Sequence, residues 1–268
     1  MVSDRMKSTV FLGGGRITSA LLAGLRLRNY RQRIVVYDRN RTKMTNLRRL
    51  HGVTIETDLT EATAQAGLLI VAVQPSSVRK LLLQSGDLGE PGVAISLAAG
   101  IPLAKLRELT CDRVRWARAM PSPACRMGIG LTALAFPRNS PESVRKRANN
   151  FFAHVGKVVE LPESRFDAFT VAYSPSHGYH AMSTLAAAAE AAGLDAKTAA
   201  LAAAHALADS IISWREGTES LTHLLREATT PGGIAAAVMR TMDRAGYREL
   251  VKRSLRVGMQ QARANARN

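Results

Sequence analysis

Three consecutive glycines stand where a short β-prone segment meets a helix-like one, at Leu12-Gly13-Gly14-Gly15-Arg16-Ile17-Thr18. Thr9-Val-Phe-Leu12 leads in, and 17–27 carries apolar side chains at helical spacing through Ile17, Leu21, Leu22 and Leu25. Gly13 permits a tight strand-to-helix turn. Gly15 lets the backbone approach a pyrophosphate, whose charge the free N–H groups of a helix start stabilise. The third position of the G-x-G-x-x-G pattern holds Thr18, small enough for helix and strand to pack. A plain turn with no ligand would satisfy the same residues, so the context decides.

The context is a regular alternation. Segments 33–37, 53–55, 68–73, 93–97 and 114–118 read as strands, with helix-like stretches such as 42–50 between them. That order implies right-handed βαβ units and a doubly wound parallel sheet. Segments 131–136 and 157–161 extend the sheet, with a helix over 141–152 between them. Beyond about residue 163 the chain is Ala-rich and helix-prone, with no convincing strand. Gly193-Leu-Asp195 marks a turn between two helices. Thr229-Thr-Pro-Gly-Gly233 marks a second break and starts a new helix with Pro231 in its first turn. The expected fold is therefore an α/β Rossmann-type dinucleotide-binding domain over residues 1–162, followed by an all-α domain over 163–268.

Composition excludes several other classes. Of 268 residues, 46% are apolar and 22% charged, enough for a sizeable core and too apolar for disorder. Cys111 and Cys125 have no metal-ligand spacing, so neither a disulfide scaffold nor a metal site is expected. Met1-Val-Ser-Asp-Arg-Met-Lys does not read as a signal peptide. The longest apolar run, Leu68-Leu-Ile-Val-Ala-Val73, falls far short of the ~20 residues that span a bilayer. A soluble, cytoplasmic protein with no membrane partner is expected. Lys and Arg total 37 against 21 Asp and Glu, a net +16, and residues 1–160 hold 25 of the cations against 11 of the anions. A solvated Arg-rich surface accounts for such an excess, and so does an anionic partner. With aromatics at 5%, too sparse for base-stacking platforms, no nucleic-acid partner is expected, and a phosphorylated cofactor is the better fit.

About twenty residues past the glycines, the second strand ends in Tyr37-Asp38-Arg39-Asn40-Arg41. An acidic residue there bonds the adenosine ribose hydroxyls and favours NAD. Neighbouring arginines accommodate the 2′-phosphate of NADP. Asp38 and the pair Arg39 and Arg41 pull in opposite directions; the basic excess of this half favours NADP, with NAD possible.

From Val10 to about Gln261 the motifs, in order and spacing, resemble the pyrroline-5-carboxylate reductase family. The family's I-G-x-G-N-M turn matches Leu12 to Ile17, and its A-V-K-P matches Ala72-Val-Gln-Pro75. Its S-x-A-A-G matches Ser96-Leu-Ala-Ala-Gly100, and its R-A-M-P-N-T-P begins as Arg118-Ala-Met-Pro-Ser122. Its S-P-G-G-T-T matches Thr230-Pro-Gly-Gly233-Ile-Ala235, followed by G-[FY]-R as Gly246-Tyr-Arg248. The resemblance implies a reductase of a cyclic imine with NAD(P)H, the closing step of proline biosynthesis. It also implies a helical domain that interleaves with its twin in a homodimer or larger homo-oligomer. Cofactor contacts then fall on Gly13, Gly14, Gly15, Arg16, Ile17, Asp38, Arg39, Arg41, Ala72, Val73, Gln74, Pro75, Ala98, Met120 and Pro121. Substrate contacts fall on Ser122, Ser176, Thr230, Gly232, Gly233 and Ile234, with the Pro-Gly-Gly loop as the carboxylate site.

The departures bear on the substrate. The family's imine-contacting threonine falls on Ala235, its lysine on Gln74, and its G-S-G-P-A-Y on Ser174-Pro-Ser-His-Gly-Tyr179. Reducing an imine needs a proton or hydrogen bond at nitrogen. With Ala235 silent, the candidates are His177, Tyr179 and Thr230. Each has a plainer structural role open to it: a histidine at a helix start, a core tyrosine, a turn threonine. His205, in an Ala-rich helix, reads as structural. A non-catalytic, dinucleotide-binding paralogue of the same fold is the alternative.

Overall fold

The computed structural model describes residues 7–86, 88, 92–111 and 113–267; the start of the chain read for a leader lies outside them, apart from Lys7. The chain forms two compact units. The first takes in the chain up to Ala172 and again from Gly258; the second is Tyr173–Val257. The first unit therefore runs past the change of texture near residue 163 and reclaims the C-terminal segment.

The first unit is built on one sheet. Its strands are β1 (Ser8–Leu12), β2 (Ile34–Tyr37), β3 (Thr54–Ile55), β4 (Ala66–Val71), β5 (Val93–Ser96), β6 (Trp116–Pro121), β7 (Gly130–Ala135) and β8 (Gly156–Glu160). They lie in the order β3-β2-β1-β4-β5-β6-β7-β8. The order reverses between β1 and β4, the topological switch point where ligands bind in open α/β sheets. Every residue of β4 is buried, as its unbroken apolar run implies for a strand covered on both faces.

Helices α1 (Arg16–Leu27), α2 (Arg41–His51) and α6 (Glu142–Ala153) cover one face. There Phe11, Leu21, Leu22, Leu47, Ile70, Phe151 and Phe152 form one core layer. Helices α3 (Leu59–Ala64), α4 (Pro75–Gln84) and α5 (Leu103–Glu108) cover the other face, where Leu12, Leu69, Val78, Leu82, Leu106 and Trp116 pack. Alternate residues of β1 and β4 supply the two layers, as the two-residue period of a strand requires.

Two expectations are corrected. The sheet is not parallel throughout: β6 and β7 pair antiparallel, and β8 runs parallel to β7. Only a 3₁₀ turn, Pro123–Met127, joins β6 to β7. So short a link cannot make the crossover of a dozen or more residues that parallel pairing needs, so the chain turns back. The full crossover through α6 then restores parallel pairing for β8. Strand β6 also begins at Trp116 and runs on to Pro121, later than the apolar stretch from 114 suggests. Cys111 and Cys125 are both free, and burial pushes the Cys125 thiol up.

Helix α7 (Glu163–Ala172) closes the first unit. The second holds α8 (Pro175–Ala191), α9 (Ala196–Glu216), α10 (Leu221–Glu227), α11 (Ile234–Arg244) and the start of α12 (Tyr247–Asn265). Gly193, at φ +105°, makes the expected break, and the Asp195 side chain caps α9 by accepting from Lys197 and Thr198 N–H, both at 3.1 Å. Pro231 is not in the first turn of a helix. Gly233 N–H donates to the Thr230 carbonyl at 2.9 Å, and Gly232 takes φ +81°. Thr230-Pro-Gly-Gly233 is thus a tight turn with proline second and left-handed glycine third, which must close before α11 begins.

Candidate active site

The glycine turn ends at the switch point. Gly13 sits at φ +113°, and a Cβ there would lie 2.5 Å from the Ala72 carbonyl oxygen, so no larger residue fits. Thr18 is fully buried and its hydroxyl donates to the Gly13 carbonyl at 2.6 Å. The departure from glycine at this position therefore fastens the turn. Gly15 is the N-cap of α1, with no side chain capping it. A Cβ there would meet nothing within 4 Å, so the protein's own packing leaves this space open in front of the helix start. The residues fit a dinucleotide pyrophosphate at that point.

A cleft of about 340 Å³ opens beside the turn. It brings together Gly13, Gly15, Asp38, Arg39, Ala72, Val73 and Gln74 from the sequence-based set, and adds Tyr37, Lys43, Ser77 and Leu81. Arg41 does not line it. It opens α2, while Lys43, two residues on, faces the cleft. The missed signal was Asn40: its side chain accepts from Lys43 N–H at 3.1 Å, so Asn40 is the N-cap and Lys43 lies over it. The first turn of α2 carries no acidic residue. Nor does Asp38 swing away to leave the arginines alone. Its carboxylate accepts from Gly14 N–H at 2.7 Å and from Asn40 N–H at 2.8 Å, pinning it to the turn.

The remaining cofactor candidates follow the C-terminal sheet edge. Gly14 is held by Asp38; Arg16 is exposed and Ile17 half-buried in the first turn of α1. Gln74 is the N-cap of α4 and Pro75 its first residue. Ala98 is buried in the loop after β5, and Met120 and Pro121 end β6. Ser122 follows, its hydroxyl buried with no hydrogen-bond partner in the structure. An unpaired buried hydroxyl costs about 1–3 kcal/mol.

Sequence reasoning also missed what Arg118 does. It is 1% exposed, with its guanidinium 2.5 Å from an Asp167 oxygen and 3.4 Å from Glu163. It lies over the Phe166 ring at 4.5 Å. Glu163 also accepts from Leu103 N–H at 2.6 Å, so one carboxylate ties β6, α5 and α7 together. This fastens the strand that ends in Met120, Pro121 and Ser122.

In the second unit, Ser176, His177 and Tyr179 occupy the first turns of α8. All three are exposed, Tyr179 at 72%. Thr230, Gly232 and Gly233 form the turn before α11, and Ile234 begins that helix, 87% exposed. Because Gly233 N–H is spent on the turn, the donors left for an anion are those of the first helical turn, from Ile234 onward. This unit has little interior of its own. Helix α8 buries no side chain and α9 only Ala199 and Ala203, while Leu201, Ile211, Ile212 and Trp214 are exposed.

A switch-point cleft behind a glycine turn is the layout of a Rossmann-type dinucleotide-binding domain, here followed by helices with little core of their own. Residues 163–265 match the family described as pyrroline-5-carboxylate reductase dimerisation, and residues 8–100 the one described as NADP oxidoreductase, coenzyme F420-dependent. The chain is 30% identical to the pyrroline-5-carboxylate reductase of Mycobacterium leprae over 276 residues, covering 92% of each chain. It is 29% identical to that of Mycobacterium tuberculosis, again over 92% of each. Among solved structures, the Plasmodium falciparum pyrroline carboxylate reductase with NADP bound superposes with a TM-score of 0.86 at 19% identity, covering 98% of this chain and 99% of that one. The Coxiella burnetii pyrroline-5-carboxylate reductase gives 0.85 at 23%, covering 97% and 98%. The chain belongs to the pyrroline-5-carboxylate reductase family. Among the described residues, no helix is long and apolar enough to cross a membrane.

Proposed function

We propose that this protein is an NADPH-dependent reductase of a cyclic imine bearing a carboxylate, with pyrroline-5-carboxylate to proline as the reference reaction. One observation carries the reading: a glycine-lined cleft at the switch point, with Arg39 and Lys43 beside it, in a chain of this family. When bound, NADPH supplies a hydride to the imine carbon. The chain supplies position and a proton or hydrogen bond at nitrogen, so that C=N becomes CH–NH. The turn at 13–17 holds the pyrophosphate, and Arg39 and Lys43 the 2′-phosphate. Ala72–Pro75, Ala98, Met120 and Pro121 form the floor beneath the nicotinamide, and Ser122 offers its unpartnered hydroxyl to a bound ligand.

The Thr230 hydroxyl and the N–H groups from Ile234 onward receive the carboxylate, with Gly232 and Gly233 shaping the turn that presents them. Ser176 assists, and His177 or Tyr179 serves the imine nitrogen in place of the hydroxyl missing at Ala235. Ala235→Thr tests this assignment. Restoring one hydrogen bond should raise pyrroline-5-carboxylate turnover about tenfold, following ~1.4 kcal/mol per decade. If A235T matches the parent and variants at His177 and Tyr179 also leave the rate unchanged, the assigned donors are wrong.

The exposed apolar side chains of the second unit support a homodimer through the matched dimerisation region. Light scattering should give at least twice the 28.9 kDa chain mass. A stable monomer at micromolar concentration contradicts this.

A further inference from the structure

The loop that follows β5 carries Ala98, whose backbone lies at the same sheet edge as the glycine turn, and this loop is held from outside the sheet. Along the last turns of α12, Gly258, Ala262 and Asn265 recur at helical spacing and form one stripe. Gly258 lies close against α7: a Cβ there would come within 2.6 Å of the Val171 side chain. Ala262 is buried, and a Cβ on Gly100 would fall inside contact distance of its carbonyl oxygen. Gly100 takes φ +79°, so both its space and its backbone angle are set to admit the helix.

The third member of the stripe is polar. Asn265 donates from Nδ2 to the Ala99 carbonyl at 3.3 Å, and its Oδ1 accepts from Gln261 Nε2 at 3.2 Å. The second bond orients the amide, so that the donor and not the oxygen meets the loop carbonyl. Helix, glycine and amide together fix the backbone of 98–100. Among the described residues, this is the side-chain hydrogen bond made to that loop from the C-terminal helix.

We infer that Asn265 is a positioning residue of the cofactor site: through the Ala99 carbonyl it holds the Ala98–Gly100 backbone in the shape that receives the nicotinamide end of the dinucleotide. The inference rests on the reading of this sheet edge as the cofactor site. Asn265 touches no reacting atom in this role. Its effect is to remove the freedom the loop would otherwise lose on binding, which appears as affinity.

The test uses the full-length protein, with Asn265→Ala and the isosteric Asn265→Asp. Aspartate keeps the acceptor for Gln261 and turns a second acceptor on the Ala99 carbonyl, so N265D should be at least as damaging as N265A. Two readouts are taken: hydrogen exchange over 97–101, and the Kd of NADPH. Exchange in that segment should quicken in both variants, and Kd should rise about fivefold or more, with the melting temperature nearly unchanged. Unchanged exchange and unchanged Kd overturn the inference. So does a lowered melting temperature with Kd intact, which would make Asn265 only a packing residue. If the parent itself binds neither NADPH nor NADH, the cofactor reading fails, and any quickened exchange then reports a latch with no role in binding.

Discussion

NADPH should bind this protein ten- to a hundredfold more tightly than NADH, and Lys43→Ala should remove about a tenfold share of that margin. Arg39 and Lys43 both line the cleft beside the glycine turn, at the start of a helix whose first turn has no acidic residue. A hydrogen bond from a charged donor to phosphate contributes about 1.5–3 kcal/mol, which is one to two decades in Kd. The helix start adds a smaller favourable field for an anion. Asp38 opposes this only in part, because both its oxygens already accept backbone N–H bonds. Arg41→Ala should leave the preference largely intact, since Arg41 does not line the cleft. Titrations should therefore show K43A and R39A losing NADPH affinity while NADH binding stays the same. Equal affinities in the parent, or a preference for NADH, would give the ribose to Asp38 and refute the phosphate site.

The second large effect is on stability, and it is asymmetric. Arg118 is almost wholly buried, while the side chains of Glu163 and Asp167 remain about 30% exposed. Asp167→Ala removes the closer counter-charge from a guanidinium that has no access to water. Breaking a buried pair from that side costs about 3–5 kcal/mol, and the weaker Glu163 contact brings the expected loss to about 3 kcal/mol. Arg118→Met removes the charge itself, keeps apolar contact with Phe166, and leaves two carboxylates that can rehydrate. It should cost about 1 kcal/mol, because a buried ion is replaced by an apolar group of similar length. Urea unfolding of both variants checks the order. If R118M is the more damaging, the guanidinium matters through some contact other than its carboxylates.

Much of the first unit was legible because its signals are local. Glycine at 13, the apolar run through β4 and the alternation of periods each depend on a few adjacent residues. What was misread depends on other parts of the chain. The reversal at β7 follows from the length of the link before it, which the apolar pattern of 131–136 does not record. Lys43 and Arg41 differ by two residues, and which of them faces the cleft depends on where α2 starts, which the Asn40 cap marks. Arg118 reads in the sequence only as the first residue of a motif, because its partners lie 45 and 49 residues further on. The stripe of Gly258, Ala262 and Asn265 was not read from the sequence, because its partner loop lies more than 150 residues away. In the second unit the helices and the Thr230–Gly233 turn could be read, though the turn closes before its helix where the sequence suggested a proline inside it. His177 and Tyr179 are exposed on α8, and no local pattern in the sequence says what they face.

The proposed reaction is the reduction of a carboxylate-bearing cyclic imine with NADPH. The direct measurement is NADPH consumption by the purified protein with pyrroline-5-carboxylate, with ring homologues of that imine, and with imines lacking the carboxylate. Saturable, enzyme-dependent oxidation of NADPH is expected with at least one carboxylate-bearing imine, with stoichiometric formation of the cyclic amine and a much lower rate without the carboxylate. NADPH binding with no turnover of any imine would contradict it and identify a non-catalytic dinucleotide-binding member of the family.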